Sequence, residues 1–459
     1  MTTTRDIAIT DISRFSFGHA PKPVKCGRGV EIGCGTVVPE INFTLPSMDI
    51  EEENWTKVRQ QYDTMVQGVL RRATELHVPA LLVEFETLPP MTVRPDWGLE
   101  ICRLLVDRLE EAHSKHGLRS ALRLTPNDSR EFNRPPLMRR GEYWDGMVRM
   151  FDEAAGSGAD LLAIESTGGK EVCDEALING DLRTVVFALG VLGARDMEFL
   201  WKKIVASCKA QNIIPSGDTA CGFANTAMVL ADQKMIPRVF AAVVRVLSVP
   251  RSLVAYEMGA LGPSKDCAYE GPYMKAIAGV PISMEGRSSA CAHLSPVGNV
   301  SQAVCDCWSN ESVQNVRLLS DYAPTVSMEQ LAYDCRLMSA ASHTPEDAAR
   351  LRDWLADSDA SLDPQAWVLR PDTVLRISRK IVQAGDDPYL RTRAAAHAAI
   401  EDIRRANDEG RLALSEREEP WLDMMETQLE DLPGTAEELL EEILAETPEP
   451  KFLPEEYGF

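Results

Sequence analysis

The sequence predicts an α/β fold: a (β/α)8 barrel of the TIM type with an N-terminal extension and a C-terminal helical appendage. Two observations carry this prediction. Short runs rich in Val, Ile and Leu alternate with amphipathic stretches through most of the chain, and these runs number eight. Strands that alternate with helices indicate a parallel sheet, and eight such units fit a closed barrel. A doubly wound open sheet is the competing architecture.

The eight predicted strands divide the chain into a barrel and two flanking segments. The strands are Val37–Asn42, Ala80–Glu86, Ser120–Thr125, Asp160–Ser166, Asn212–Asp218, Ser252–Met258, Pro281–Glu285 and Pro324–Met328. This assignment makes residues 1–36 an N-terminal extension, residues 37–343 the barrel and residues 344–459 an acidic helical appendage packed on the barrel.

The helices follow from the spacing of apolar residues. In Trp55–Leu76 these recur at i, i+3 and i+4, the pattern of a helix with one buried face. The predicted helix Trp97–His116 is followed by Gly117, a residue type that commonly ends helices in a left-handed cap. Four further helices are predicted in the appendage: Thr344–Asp357, Asp372–Gln383, Leu390–Glu409 and Ala436–Glu446.

Composition narrows the classes of partner and the compartment. The 459 residues carry 48 Lys and Arg against 70 Asp and Glu, a net charge of −22. A surface of this sign repels phosphate, which argues against nucleic acid and anionic membranes. We expect no signal peptide, and no window reaches the roughly 18–20 apolar residues of a membrane helix. The 11 cysteines are therefore predicted to be reduced thiols of a cytoplasmic protein.

Candidate metal ligands follow three consecutive predicted strands. The working residues of a barrel lie at the C-terminal ends of its strands. Glu165 follows the fourth predicted strand, Cys221 the fifth and Cys267 the sixth. Two thiolates and a carboxylate suit Zn²⁺, which in catalytic sites takes three protein ligands and leaves the fourth position open. The alternative is that both cysteines only pack, because Cys is among the most buried residue types.

A glycine-rich segment near the N-terminus does not predict a nucleotide site. Its glycines lack the G-x-G-x-x-G spacing, and a strand follows instead of a helix N-terminus. A turn that lets the backbone approach the barrel floor or a partner is the better interpretation. The glycines are Gly27, Gly29, Gly33 and Gly35.

A second cysteine-rich motif resembles a structural zinc site. Its residues are Cys291, His293, Cys305 and Cys307. We predict a helix over the last two, and residues two apart on a helix point about 200° away from each other. Core packing is therefore expected for this motif.

Several segments resemble one known family. They are GVEIGCGTVVPEINF, GADLLAIESTGGKEV, SGDTACGFANTAM, PRSLVAYEMGALGPSKDCAYE, CDCWSNESV and the C-terminal YGF. Together they resemble the zinc-dependent methanol:corrinoid methyltransferase subunit over essentially the whole chain. The resemblance implies a (β/α)8 barrel with a helical appendage and one zinc ion per chain, held by Glu165, Cys221 and Cys267. Two positions depart from the family pattern: Ala220 stands where an acidic residue is expected, and Leu124 where a His is expected.

The implied reaction passes the methyl group of zinc-bound methanol to the Co(I) corrinoid of a partner protein. Hydroxide leaves badly, so the oxygen must be polarised by a Lewis acid and assisted by a proton donor. Asp218 is the candidate for that donor or for a support behind the ligands, and capping the following helix is its alternative role. Glu84, Glu86 and Glu285 are further carboxylates at the mouth, with hydrogen bonding to neighbouring loops as their alternative role.

The corrinoid is expected to arrive on a second protein. The chain lacks the D-x-H-x-x-G signature of a cobalamin-binding domain, so no integral corrinoid is predicted. The resemblance further implies a homodimer within a larger assembly with two corrinoid subunits. Two other functions stay open: the same chemistry on another small methyl donor such as a methoxy compound, and a non-catalytic barrel that acts as a structural partner.

Overall fold

The computed structural model describes residues 4–43, 48–311, 316–446 and 450–459, without the side chains of residues 265, 266 and 311. Ten strands in these ranges form two sheets. They are β1 (His19–Cys26), β2 (Val30–Cys34), β3 (Val38–Asn42), β4 (Ala80–Glu86), β5 (Arg119–Thr125), β6 (Leu161–Ile164), β7 (Ile214–Asp218), β8 (Ser264–Asp266), β9 (Ile282–Glu285) and β10 (Cys307–Glu311).

Eight parallel strands curl into a barrel. Their order is β7-β6-β5-β4-β3-β10-β9-β8, so each strand lies beside its neighbour in sequence and β10 returns to β3. Between β7 and β8 the link is made just before β8, where the N–H groups of Leu261 and Gly262 donate to the carbonyl oxygens of Pro215 and Ser216 at 2.8 and 2.7 Å. The predicted (β/α)8 barrel is confirmed, and the doubly wound sheet is excluded.

Helices surround the barrel and make up the appendage. Those of the barrel region are α1 (Trp55–Glu75), α2 (Pro89–Val93), α3 (Pro95–His116), α4 (Glu142–Glu153), α5 (Lys170–Asn179), α6 (Leu182–Phe187), α7 (Ala194–Gln211), α8 (Cys221–Asp232), α9 (Arg238–Met258), α10 (Gly271–Ala278), α11 (Arg287–Ala292) and α12 (Ala323–Ala341). The later ones are α13 (Pro345–Asp359), α14 (Pro364–Trp367), α15 (Pro371–Gln383), α16 (Pro388–Asp408), α17 (Glu419–Glu430) and α18 (Ala436–Glu446).

Two of the eight predicted strands are wrong. Ser252–Met258 lies inside α9, and Pro324–Met328 lies inside α12. The strands that complete the barrel are instead β8 and β10. Helix α9 is buried from Val239 to Glu257, so its sequence has no polar face to reveal the helical period. Strand β8 has only three residues, too few for a recognisable apolar run.

Helix α9 runs through the core of the molecule. By length and composition alone it could cross a membrane, but 94% of its most apolar window is buried inside the protein. Helices α7, α8 and α16 pack around it. It is therefore the central helix between the barrel and the appendage, and it carries two buried arginines, Arg245 and Arg251.

The N-terminal hairpin closes the floor of the barrel. Strands β1 and β2 pair antiparallel, and their side chains Val30 and Ile32 pack with Leu82 and Leu161 from the barrel interior. In the connecting turn, Gly27 has φ +50°, and a Cβ there would lie 2.5 Å from the carbonyl oxygen of Ser120. The glycine-rich segment is thus a turn that lets the backbone approach the floor, as its sequence predicts.

A buried ion pair fills the middle of the barrel. The Arg123 guanidinium donates to the Glu40 carboxylate, and also to Ser216 Oγ at 3.2 Å and the Pro263 carbonyl oxygen at 2.7 Å. Ser283 Oγ donates to the same carboxylate. These side chains come from β3, β5, β7 and β9, the alternate strands that make one interior layer of a TIM barrel. The layer lies below the mouth and supports it.

We expect Arg123→Leu to lower the free energy of unfolding by about 3–5 kcal/mol, because it leaves the Glu40 carboxylate buried without its partner. Urea unfolding followed by circular dichroism measures the change. The double variant Glu40→Leu with Arg123→Leu should recover most of the loss. The matched control is Arg149→Leu, which breaks an exposed pair with Asp96 and should change little. Equal effects of the two single variants would contradict the assigned role of the interior pair.

Candidate metal centre

The three predicted ligands meet at the barrel mouth. Glu165, Cys221 and Cys267 follow β6, β7 and β8, and their carboxylate and sulfur atoms all lie within 4.8 Å of one another. Cys267 Sγ lies 3.5 Å from Glu165 Oε1. Cys267 is 2% exposed, and the other two are half-buried. The fold therefore brings one carboxylate and two sulfurs to a single point from three separate strands.

The two sulfurs are in contact with each other. The sulfur atoms of Cys221 and Cys267 lie in direct contact, with Cα atoms 5.6 Å apart, while the other nine cysteines are free. The metal ligand is the thiolate, so the pair must be reduced before it can bind an ion. Two reduced sulfurs and a carboxylate this close together form a donor set that fits Zn²⁺.

Cys221 is positioned by the start of α8 and by two polar side chains. Asn225, one turn further along the helix, donates from Nδ2 to Cys221 Sγ at 3.2 Å. The N–H of Ala220 donates to Glu270 Oε1 at 2.7 Å, and Ser252 Oγ donates to the same oxygen at 2.7 Å. Since Glu270 lies three residues after Cys267, its buried carboxylate joins the segments that carry the two cysteines.

Asn225 and Glu270 were missed by the sequence analysis. Both lie within motifs that were singled out, Asn225 in SGDTACGFANTAM and Glu270 at the end of GPSKDCAYE. The helical spacing of four residues between Cys221 and Asn225 was the available signal, because such residues are neighbours on a helix. No comparable signal marked Glu270, whose contact with Ala220 joins positions 50 residues apart.

Asp218 lies behind Glu165 and holds the residue next to it. Its carboxylate accepts from the Ser166 N–H at 3.2 Å, from Ser166 Oγ at 2.7 Å and from Trp201 Nε1 at 3.0 Å. Burial raises the pKa of Asp218, and the Arg251 guanidinium, with the hydrogen bonds from Trp201 and Ser166, opposes that rise. The helix-capping alternative is wrong: α8 begins at Cys221, with Ala220 at the cap position and no side-chain cap.

The other carboxylates singled out at the mouth lie outside the ligand cluster. Glu84 Oε1 accepts from Thr125 Oγ1 at 2.6 Å, a hydrogen bond to the neighbouring strand. Glu84 and Glu285 are buried at the ends of β4 and β9, and Glu86 is half-buried. In the described part of the chain, the metal-ligating cluster contains none of these three.

Two residues of the second cysteine motif belong to the core. The predicted helix over Cys305 and Cys307 is wrong, because Cys307 begins β10 and Cys305 lies in the link before it. The two side chains lie in different core clusters, Cys305 outside the barrel and Cys307 inside. Burial raises the pKa of both thiols well above the ordinary value. Core packing is therefore correct for Cys305 and Cys307, although a strand separates them and not a helix. It is wrong for Cys291, which is exposed, and His293 is half-buried.

The two departures from the family pattern are both buried. Ala220 contributes its backbone N–H to the Glu270 hydrogen bond. Leu124 packs in the core outside the barrel, since its strand neighbours Arg123 and Thr125 point inward. The side chain at position 124 therefore does not face the barrel interior.

A parallel barrel with a carboxylate and two cysteines at its mouth defines a class, the barrel enzymes that bind a metal ion at the C-terminal ends of the strands. A family model described as the methanol-cobalamin methyltransferase B subunit matches residues 1–458, and the chain belongs to that family. It is 39% identical to the methanol–corrinoid protein co-methyltransferase of Methanosarcina barkeri (strain Fusaro / DSM 804), over 99% of this chain and 98% of that protein.

A solved structure agrees with the sequence match. The crystal structure of the methanol:cobalamin methyltransferase complex MtaBC from Methanosarcina barkeri has a TM-score of 0.95 and 37% identity, and the match covers 100% of each chain. The barrel, the helices around it and the appendage therefore share one architecture with that protein along the whole chain.

Thiol labelling should separate the cysteines into three groups. We expect Cys34 and Cys291, the exposed pair, to react rapidly with Ellman's reagent in the native protein. Cys221 and Cys267 should react in the reduced, metal-free protein, and loading with zinc should protect them. The remaining thiols should not react because burial raises their pKa, to about 12 for Cys102. These unreactive positions are Cys26, Cys102, Cys173, Cys208, Cys305, Cys307 and Cys335.

Mass spectrometry of the labelled peptides reads out each position. Rapid labelling of Cys221 and Cys267 in the zinc-loaded protein would contradict their assignment as metal ligands. The double variant Cys34→Ser with Cys291→Ser is the matched control, because it removes the background without changing the mouth.

Proposed function

We propose that this chain transfers the methyl group of methanol to the Co(I) corrinoid of a partner corrinoid protein. The observation that carries the proposal is the convergence of Glu165, Cys221 and Cys267 at the barrel mouth. It occurs in a chain 39% identical to a methanol–corrinoid protein co-methyltransferase. The related methanol:cobalamin methyltransferase complex, MtaBC, supports the corrinoid partner.

Glu165, Cys221 and Cys267 would hold one Zn²⁺ per chain. When bound, Zn²⁺ supplies Lewis-acid polarisation of the alcohol oxygen, which makes the C–O bond easier to cleave. The two thiols must first be reduced and deprotonated. The Asn225 amide stabilises the resulting charge on Cys221 by donating to its sulfur. The Glu270 carboxylate fixes the spacing of the two cysteine segments, which sets the size of the site.

Asp218 acts in this proposal as a positioning residue and not as the proton donor. Its two oxygens accept three hydrogen bonds from Ser166 and Trp201, and all of these partners are buried. Arg251 also donates to the Ser166 carbonyl oxygen at 2.7 Å and lies 3.7 Å from the Asp218 carboxylate. This arrangement directs the carboxylate away from the mouth and towards the backbone that carries Glu165.

The partner is proposed to dock over the mouth, because the hairpin closes the opposite end of the barrel. Docking there brings the corrinoid to the ligand cluster and excludes water from the strongly reducing Co(I). Such chemistry, together with nine free cysteines, supports a reducing cytoplasmic compartment. A homodimer within a larger assembly with two corrinoid subunits completes the proposal. Exposed apolar side chains such as Tyr333 and Leu337 on α12 offer a surface for contacts between subunits.

Metal content tests the proposal directly. We expect purified, reduced protein to hold about one zinc per chain and Cys267→Ala to hold almost none, since only two ligands remain. Methyl transfer from methanol to added Co(I) corrinoid protein, followed by the visible absorbance of the cobalt, should be lost in the same variant. Cys335→Ala, which removes a buried thiol of α12, is the matched control and should keep both. A zinc-free wild type after reconstitution would overturn the metal assignment.

The identity of the methyl donor and the binding of the corrinoid protein are tested by separate experiments. Methanol should compete with small methoxy compounds for transfer, and faster transfer from a methoxy compound would reassign the substrate. Gel filtration with the corrinoid protein at micromolar concentrations should give co-elution. Failure to co-elute would contradict a stable complex.

Asp218→Asn should keep zinc but lose most of its turnover. An amide cannot accept every hydrogen bond from Ser166 and Trp201 and places an N–H group against these donors, so Glu165 moves. Supporting residues of this kind typically contribute 10–100-fold in activity or metal affinity, and we expect the rate of methyl transfer to fall by a factor in that range. Steady-state methyl transfer with metal analysis of the same sample measures both quantities. Near-normal turnover would remove Asp218 from the mechanism.

A further inference from the structure

The YGF motif lies against the loop that follows Glu165. The N–H of Gly169 donates to the hydroxyl oxygen of Tyr457 at 3.0 Å, in a bond that is buried. Tyr457 is 1% exposed. We propose that Tyr457 is a positioning residue for the metal ligand Glu165, acting through the loop of residues 166–169 that joins Glu165 to α5. This inference rests on the proposed function, because it requires Glu165 to bind a metal.

Successive residues of the loop are held by different elements. Ser166 is bound by Asp218 of β7 and by Arg251 of α9. Thr167 donates from its N–H and its Oγ1 to the Asp128 carboxylate, at 2.8 and 3.0 Å, in the segment after β5. Tyr457 holds the far end of the loop, where Gly169 is the N-cap of α5. Glu165 itself forms a parallel β-bridge with Asn127, two residues after β5. Contacts to Glu165 and to the loop that follows it therefore hold the ligand together.

The inner side of the loop has no room to move. A Cβ at Gly168 would lie 2.4 Å from Asp196, and one at Gly169, where φ is +86°, would lie 2.6 Å from the carbonyl oxygen of Ala188. Arg130 connects Asp196 to Asp128, the acceptor of the Thr167 hydrogen bonds. Its guanidinium donates to Asp196 at 2.8 Å and to Asp128 at 2.7 Å. Asp196 and the Ala188 carbonyl oxygen thus confine the loop at its two glycines, and Tyr457 adds a hydrogen bond at Gly169.

Tyr457 is itself fixed by its neighbours. The Glu456 carboxylate accepts from the Arg139 N–H at 2.9 Å and from Arg140 Nε at 2.6 Å. Gly458 has φ +78°, a left-handed backbone conformation that favours glycine. The Phe459 ring lies 4.0 Å from the Arg195 guanidinium. Each residue of the YGF motif thus serves to keep the phenol against Gly169.

The test removes one oxygen atom from the full-length protein. Tyr457→Phe keeps the packed ring and leaves the buried Gly169 N–H without its acceptor. Tyr389→Phe is the matched control, because that hydroxyl also makes a hydrogen bond to the backbone, here by donating to the Pro433 carbonyl oxygen in the appendage. Reduced, metal-free proteins are titrated with Co²⁺ against a chelator. We expect affinity to fall about 10–100-fold in Tyr457→Phe, the range found for residues that orient metal ligands, and to stay unchanged in the control.

The spectrum of the bound Co²⁺ provides a readout that a general loss of stability would not change. The d–d bands should shift in Tyr457→Phe, because the carboxylate moves. The thiolate charge-transfer bands should stay, because both cysteines lie on other segments. Glu456→Gln, which weakens the anchor and keeps the phenol, should shift affinity in the same direction by a smaller factor. Hydrogen exchange on metal-free Tyr457→Phe should be faster in residues 166–170 than in wild type.

The outcomes separate this inference from the proposed function. A wild type that binds Co²⁺ while Tyr457→Phe shows the same affinity and the same d–d bands would overturn the inference and leave the metal centre standing. A wild type that binds no Co²⁺ would overturn both. Reduced Co²⁺ affinity together with shifted d–d bands in Tyr457→Phe, with neither change in Tyr389→Phe, would establish the positioning role.

Discussion

A single buried carboxylate, that of Asp218, holds the residue next to Glu165. It accepts hydrogen bonds from both donors of Ser166, the residue bonded to Glu165, and from Trp201. An uncompensated charge at this depth would be costly, so the Arg251 guanidinium must lie close by. Arg251 in turn requires α9 to pass directly behind the mouth. Helix α9, the charges of Asp218 and Arg251, and the loop after Glu165 therefore depend on one another.

The interior of the barrel is filled by side chains on the side away from the mouth. The hairpin fills the floor, and above it the layer of Glu40, Arg123, Ser216 and Ser283 fills the middle. Because these polar groups form hydrogen bonds with one another, they fill the barrel interior and need no water molecules as partners. The described interior is therefore closed on the floor side of the ligand cluster.

Strands with several alternating or continuous apolar residues could be predicted from sequence, and β4 matches its predicted range residue for residue. Ser252–Met258 could not be assigned correctly, because a helix buried on all sides and a buried strand share the same composition. Glu165 and Cys221 could be predicted because barrel topology brings consecutive strand ends together, whereas Cys267 was assigned to the end of Ser252–Met258 and in fact follows β8. Glu270 and Tyr457 could not be predicted, since each acts through a contact between distant segments that no local spacing records.

The same distances have a consequence for the order in which the molecule is completed. The hydrogen bond between Gly169 and Tyr457 spans 288 positions, and the ligands themselves come from three strands. No short stretch of chain can assemble this site and bind an ion while the rest is unfolded, as a zinc finger does. Contacts of such separation form late, after the loop-closure entropy of the intervening chain has been overcome. The site therefore exists only in the folded chain, and an ion held there would bind after these distant segments have come together.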